Sequence, residues 1–246
     1  MFNCAWYVDE SLEPELKTII QNMSETLKNK IHIEILNGKT LFKRFVRSFS
    51  CDILHVFGNN KDSFSVKANS NVIYTLFNDD DLPKKHISRF FLSDAKDSEE
   101  IISPFFGSLS TDSKEHEKGI FSNGNLKIEG FEFENISGKF SRPEALSGIY
   151  VTLDNNQLEA LRAGFLTIRG LTIASKKSKY LDEIIGSENY FLIENEDDVK
   201  KIINHAFTDK GRFLATSARH FLNENHSEKK CAKNLLSLYE KIMQQL

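Results

Sequence analysis

The sequence predicts an α/β protein of two compact domains, each built on a parallel sheet. Three observations carry that expectation. Apolar strand-like runs alternate with segments of helical spacing in both halves of the chain. A polar stretch without apolar periodicity separates the halves, and 246 residues suffice for two domains of roughly 100–150 residues. Strands interleaved with helices of this length read as βαβ units, which need a parallel sheet covered on both faces.

In the first half, Phe2–Tyr7 reads as an apolar strand, and Pro14–Leu27 as a helix with Leu16, Ile19, Ile20, Met23 and Leu27 at helical spacing. Ile31–Leu36 is strand-like, Thr40–Phe49 helical, Asp52–Phe57 a buried strand ending at Gly58, and Asn71–Phe77 another strand. Arg89–Leu92 continues as a strand, Ser93–Ile102 as a helix capped by Ser93, and Ser103–Phe106 as a last strand. The first domain is therefore expected over residues 1–106, with the connection to the second in Gly107–Asn125.

The second domain, residues 107–246, repeats the pattern in shorter pieces. Leu126–Phe133 reads as a strand, Arg142–Ser147 as a short helix opened by Pro143, and Ile149–Leu153 as a strand. A helix at Asn156–Ala163 closes on Gly164, followed by strands at Phe165–Ile168 and Leu171–Ala174. Lys177–Ile185 is a helix stopped by Gly186, Tyr190–Ile193 a strand, and Asp197–Phe207, Lys210–Asn223 and Ser227–Gln245 helices. The last is expected to cross back onto the first domain.

A net charge of −3 gives no global attraction to nucleic acid or anionic lipid. Cys4, Cys51 and Cys231 lack the pairwise spacing of a zinc site or redox dithiol, which reads as a reducing cytoplasm. Asp9 and Glu10 interrupt the first apolar stretch, so no signal-peptide core is expected, and no uninterrupted apolar run is long enough to span a bilayer. No nucleophile elbow, P-loop or dinucleotide fingerprint is present, leaving hydrolase, kinase and dehydrogenase readings without support.

Gly148-Ile-Tyr-Val-Thr-Leu-Asp-Asn-Asn-Gln-Leu-Glu-Ala-Leu-Arg-Ala-Gly164 resembles the donor-sugar segment of GT-B glycosyltransferases of the retaining family 4. Ala174-Ser175, Tyr180-Leu-Asp-Glu-Ile-Ile-Gly186, Tyr190-Phe-Leu-Ile-Glu194 and Glu196-Asp-Asp-Val199 follow in that family's order. Fainter echoes lie at Asp52-Ile-Leu-His-Val-Phe-Gly58 and Asn71-Val-Ile-Tyr-Thr-Leu-Phe77. The resemblance implies a GT-B-like fold of two Rossmann-like domains with parallel sheets facing a cleft, an acceptor-side one first and a nucleotide-sugar-binding one second. It also implies transfer of a sugar from a nucleotide-sugar to a glycan, lipid or protein acceptor, with retention of configuration, as in cell-envelope polysaccharide synthesis.

In that reading Glu159 accepts both ribose hydroxyls. Asp154, Asn155, Asn156 and Gln157 form the phosphate-facing turn, where a helix N-terminus offers N–H groups and a positive dipole end. Lys118 and Arg142 are candidates to offset diphosphate charge, the acting catalytic residue is unassigned, and no metal or cofactor beyond the nucleotide-sugar is called for. From the residue alone, Glu159 reads first as an ordinary solvent-facing helical glutamate, and only the surrounding match brings the ribose-binding role level with it; residues 154–156 read as an N-cap cluster, which is compatible with phosphate binding.

Several positions depart from the family pattern. Val8-Asp9-Glu10-Ser11 stands where glycines are usual, Phe57 and Phe77 replace histidines, and Val151 replaces the first of two glutamates, with Asp154 as its only substitute. These departures define a second reading, a catalytically inactive relative that serves as an interaction or accessory subunit.

Asn78-Asp-Asp-Asp81 before Pro83 could hold a divalent ion in the GT-A manner, but reads better as a capped loop. The helix Leu41–Phe49 places Lys43, Arg44 and Arg47 opposite an apolar side. It suits either a solvated face or peripheral contact with the inner membrane surface. His55 reads as a neutral core histidine.

Overall fold

The computed structural model describes residues 3–37, 51–58, 71–77, 86–97, 99–108, 118–123, 126–136 and 146–244. Its elements are, in chain order, β1 (Asn3–Val8), α1 (Pro14–Glu25), β2 (His32–Asn37), β3 (Ile53–Gly58), β4 (Asn71–Leu76), β5 (Ile87–Arg89), β6 (Glu100–Ile101), β7 (Lys118–Ser122), β8 (Glu134–Asn135), β9 (Ser147–Thr152), α2 (Gln157–Ile168), β10 (Thr172–Ser175), α3 (Lys179–Ile185), β11 (Phe191–Leu192), α4 (Glu196–Ala206), α5 (Asp209–Asn225) and α6 (Glu228–Met243). They form two compact units, Met1–Phe105 with Glu228–Leu246, and Phe106–Ser227. The fold class is the expected one: two α/β units, each on a parallel sheet.

The first sheet has the order β2-β1-β3-β4-β5-β6, with every pairing parallel. Its central strands are apolar on both faces, as a sheet covered twice demands. α1 opens on Pro14, tolerated where no intrahelical N–H is needed, and buries Leu16, Ile19, Ile20 and Met23. From the far end of the chain α6 packs against α1, and Thr26 Oγ1 lies 3.9 Å from Cys231 Sγ.

Inside this unit His55 is fully buried, with Nδ1 2.8 Å from Tyr239 Oη and Nε2 2.6 Å from Thr75 Oγ1; Thr75 Oγ1 in turn lies 2.8 Å from Ser88 Oγ. A buried polar group costs stability unless it is paired, so this chain of bonds ties β3, β4, β5 and α6 together. Burial lowers the His55 pKa to about 3, leaving the ring neutral, as the sequence reading expects.

Residues 93–102 do not form the expected helix. Leu92–Asp94 is a single 3₁₀ turn, Ala95 is extended, and Glu100–Ile101 becomes the edge strand β6. Residues 93–100 carry no apolar stripe to bury, whereas extended backbone lets Glu99 pair with buried Arg89 at 3.0 Å and lets Ile102 N donate to Arg89 O. The strand expected at residues 89–92 sits earlier, as β5, and residues 103–106 form no strand.

The second sheet runs β11-β10-β9-β7-β8, again all parallel. Its β7 lies inside the stretch read as a connection, whereas residues 126–133 hold only an isolated bridge, Ile128 with Phe131, around Gly130 at φ +89°. Close backbone contact explains why β7 is easily missed: a Cβ on Gly148 would lie 1.9 Å from Gly119 O, so glycine and a short polar-ended strand stand where a longer apolar run would be recognised.

Gly164 does not stop α2, which continues to Ile168 through residues expected as a strand. The glycine serves close packing instead, since a Cβ there would come within 2.7 Å of both Phe106 and Ile184. The stop falls at Gly170, at φ +112°, which L-residues with a side chain rarely adopt. Gly186, at φ +87°, ends α3 as expected, and Asn195 and Asp198 form a capping box at the start of α4. The helix expected at residues 40–49 lies outside the described residues, as does most of that at 142–147. Among the described residues, no helix is long and apolar enough to cross a membrane.

Gly164→Ala should cost about 1–3 kcal/mol through overpacking, read as a lowered urea midpoint with unchanged slope. Acid should act through His55. Its folded pKa lies below the unfolded value of roughly 6.5, so the unfolded chain takes the proton first. Stability from this group is complete above about pH 6.5 and falls toward pH 3 by up to about 1.4 kcal/mol per unit. Urea melts at pH 7 and pH 5 should show a smaller acid loss in His55→Gln than in the wild type.

Candidate functional site

At the carboxyl edge of the second sheet, three strand ends and the start of α2 converge. Open α/β sheets place ligands at such edges. Asp154 N donates to Thr152 Oγ1 at 3.2 Å, turning the chain out of β9. Asn156 then caps α2, its side chain accepting from Glu159 N at 2.9 Å, and Asn155 Nδ2 donates to Lys177 O at 3.0 Å, joining the turn to the loop after β10. Asp154, Asn155 and Asn156 are exposed and Gln157 is half-buried, so the positive end of the α2 dipole meets solvent through them.

Glu159 lies one layer below, 5% exposed. Its Oε2 accepts from Tyr150 Oη at 2.6 Å, its Oε1 is ion-paired with Arg162, and Asn123 Nδ2 approaches Oε1 at 3.5 Å. Arg162 is itself buried, one helical turn along α2, and matches the carboxylate's charge where water does not reach. Burial, then the neighbouring Glu159 charge, pushes the Tyr150 hydroxyl well above its ordinary pKa, so it acts as a neutral donor. Asn123 also donates to Asp154 Oδ2 at 2.8 Å and so connects the buried carboxylate to the exposed one.

The structure thus brings Asp154, Asn155, Asn156, Gln157 and Glu159 into one cluster, with Glu159 facing inward. Lys118 is not among them. It begins β7, paired with Ser147 at the amino edge of the sheet, about 13 Å of strand away from Ser122. Arg142 lies outside the described residues, as do Asn78–Asp81 and the basic face at Lys43, Arg44 and Arg47.

Two residues that the sequence reading missed join the site. Asn123 follows β7, and Lys177 is an exposed cation paired with Asp182 at 2.8 Å. A basic dipeptide, Lys176-Lys177, directly after a strand was the available signal for the second. Asn123 became visible only once β7 was placed.

In the first unit, the turn after β1 is held by buried Asp9, which accepts from Ser11 N and Oγ, each at 2.8 Å. A cavity of about 430 Å³ beside it is lined by Val8, Glu10, Lys17, Ile20, Gln21 and Ile35. Phe57 is fully buried and stacks on His55 at 4.1 Å, and Phe77 rests on Phe90 at 5.2 Å. Phe57 fills the interior and Phe77 is half-buried, each apolar where a histidine would offer polar atoms. Among the described residues, no group of three or more His, Cys, Asp or Glu could hold a metal ion.

No protein-family model matches the chain, and no curated protein matches it by sequence. Solved structures do. A glycosyltransferase from Rickettsia africae ESF-5 superposes with a TM-score of 0.59 at 11% identity, covering 100% of this chain and 99% of its own. HepE (Alr3699) of Anabaena, in complex with UDP and glucose, gives 0.59 at 10% identity over 98% of this chain and 100% of its own. Its complex with UDP alone gives 0.57 at 10% over 96% and 99%. The likeness is one of fold. It spans both units, and glycosyltransferases share that fold with this chain.

Breaking the buried pair should be costly. Arg162→Met leaves the Glu159 charge unmatched and should cost about 3–5 kcal/mol, against about 1–3 for Tyr150→Phe. If the pair holds the site together, Arg162→Met with Glu159→Gln should recover much of the loss, measured as a double-mutant cycle by chemical denaturation.

Proposed function

We propose that this protein transfers a sugar from a nucleotide-sugar donor to a glycan, lipid or protein acceptor, with retention of configuration. The observation that carries the reading is the α2 N-terminus, exposed at the carboxyl edge of the second sheet in a fold shared with a UDP- and glucose-bound protein. The second unit is the donor side and the first the acceptor side. Residues 154–157 receive the diphosphate, and Lys177 offsets its charge.

Asp154, exposed and oriented by Asn123, is the carboxylate open to ribose or sugar hydroxyls. Glu159 fixes the turn from beneath and reaches the ribose only if Arg162 or Tyr150 releases an oxygen. Stabilising the departing diphosphate and positioning the acceptor supply the rate, and no metal is needed. The acceptor side works at the inner face of the membrane in the service of cell-envelope polysaccharide.

A second reading has one specific observation in its favour. Glu159 is sealed by Arg162 and Tyr150, which suits a scaffold retained as an interaction subunit after catalysis was lost.

Thermal shift separates the two. UDP, tested beside GDP, ADP and CMP, should raise the melting temperature, by an amount equivalent to about 2.7 kcal/mol at a hundredfold excess over Kd. EDTA should leave the shift unchanged, and Asp154→Ala should remove most of it. If no nucleotide raises the melting temperature, the transferase reading fails and the second one stands.

A further inference from the structure

At the opposite, amino edge of the second sheet lies a cavity of about 280 Å³, near the lower end of the roughly 300–1,000 Å³ typical of small-molecule sites. Its floor is the first residues of three strands, Lys118 of β7, Ser147 and Gly148 of β9, and Thr172 of β10, with Gly170 beside them. One face of α5 forms the wall through Arg212, Thr216 and Arg219. The eleven described residues that line it include three cations and no carboxylate.

Two of the cations, Lys118 and Arg219, are held by neighbouring groups, while Arg212 is exposed. Lys118 Nζ stands 5.8 Å over the Phe207 ring, and Arg219 lies along α5 with Nε donating to Ala215 O at 3.3 Å and a terminal nitrogen 3.5 Å from Thr216 Oγ1. Arg212 has a carboxylate at 3.5 Å, that of fully solvated Asp209. Among the described residues, Lys118 and Arg219 have none.

Backbone geometry keeps the floor bare. Gly148 and Gly170 have φ of +130° and +112°, and a Cβ on either would meet carbonyl oxygen at 1.9 Å and 2.6 Å. Thr172 Oγ1 donates to Gly211 O at 3.2 Å and fixes the start of α5 against β10. Three like charges line one small space, with hydroxyls beside them and no carboxylate among the described lining residues, an arrangement that favours an entering anion.

We infer that this cavity binds a phosphate-bearing anion of about the size of pyrophosphate, contacted by Lys118, Arg212 and Arg219. Guanidinium groups match the paired oxygens of phosphate, and a lysine adds a point charge. The site is separate from residues 154–157 and does not depend on the transferase reading. The anion's source is either a free phosphate compound or a lipid headgroup, since both present the same oxygens.

Calorimetric titration of the full chain with pyrophosphate, in parallel with sedimentation on vesicles of equal parts phosphatidylglycerol and phosphatidylcholine, tests it. Pyrophosphate binding that weakens about tenfold or more in both Lys118→Gln and Arg219→Gln, whose melting temperatures stay near wild type, supports a free anion. Vesicle binding alone, lost in the same variants, assigns the site to a headgroup. The inference is overturned if neither probe binds, or if both variants keep the wild-type number of pyrophosphate sites and the wild-type affinity. In Asp154→Ala, which tests the donor site, the pyrophosphate site that depends on Lys118 and Arg219 should remain.

Discussion

Glu159 carries a charge into the interior of the second unit, and a carboxylate removed from water has to be matched where it sits. Arg162, on the next turn of α2, supplies the opposite charge, and Tyr150, in the middle of β9, supplies a neutral hydroxyl. Because these partners belong to the helix and to the strand that precedes it, satisfying the charge also fixes the angle at which α2 leaves the sheet. Asn123 extends the arrangement to β7 and out to Asp154. The exposed turn at residues 154–156 takes its position from this buried pair. In the proposed donor site, rigid support of this kind lets the turn meet a ligand without reorganising.

The second unit distributes its charge unevenly. The carboxyl edge offers a helix N-terminus, amide side chains, one exposed carboxylate and Lys177, a mixture suited to a ligand with both hydroxyls and phosphates. The amino edge offers three cations over bare glycine backbone, suited to phosphate alone. The same β7 and β9 reach both edges. The first unit spends its polar residues differently, in an internal chain from Ser88 through Thr75 and His55 to Tyr239 that holds α6 in place. A histidine kept neutral by burial and hydrogen-bonded on both ring nitrogens is a structural strut.

Much of this was legible in the residues. Strands β1 to β4 of the first sheet announce themselves as apolar runs, α1 by its buried stripe, the end of α3 by Gly186, and the N-cap of α2 by its asparagines. The exceptions have local causes. Gly164 has the look of a helix stop but is a point of contact with Phe106 and Ile184. Residues 93–100 begin with a serine cap but carry nothing apolar for a helix to bury. β7 is short, begins on a lysine, ends on a serine and contains a glycine, so its neighbours in the sheet, not its composition, make it a strand.

By itself the sequence determined what depends on spacing along the chain: the alternation of strands and helices, the parallel sheets this requires, and the carboxylate and amide cluster that opens α2. Tertiary structure decided what depends on distance through space. It turned Glu159 inward onto Tyr150 and Arg162, joined Asn123 and Lys177 to the turn, and placed Lys118 at the far edge with Arg212 and Arg219. The reason is physical. Periodicity records which face of an element is apolar, but the partner of a buried charge is set by which elements pack together, and in a parallel sheet a few residues of strand separate one edge from the other.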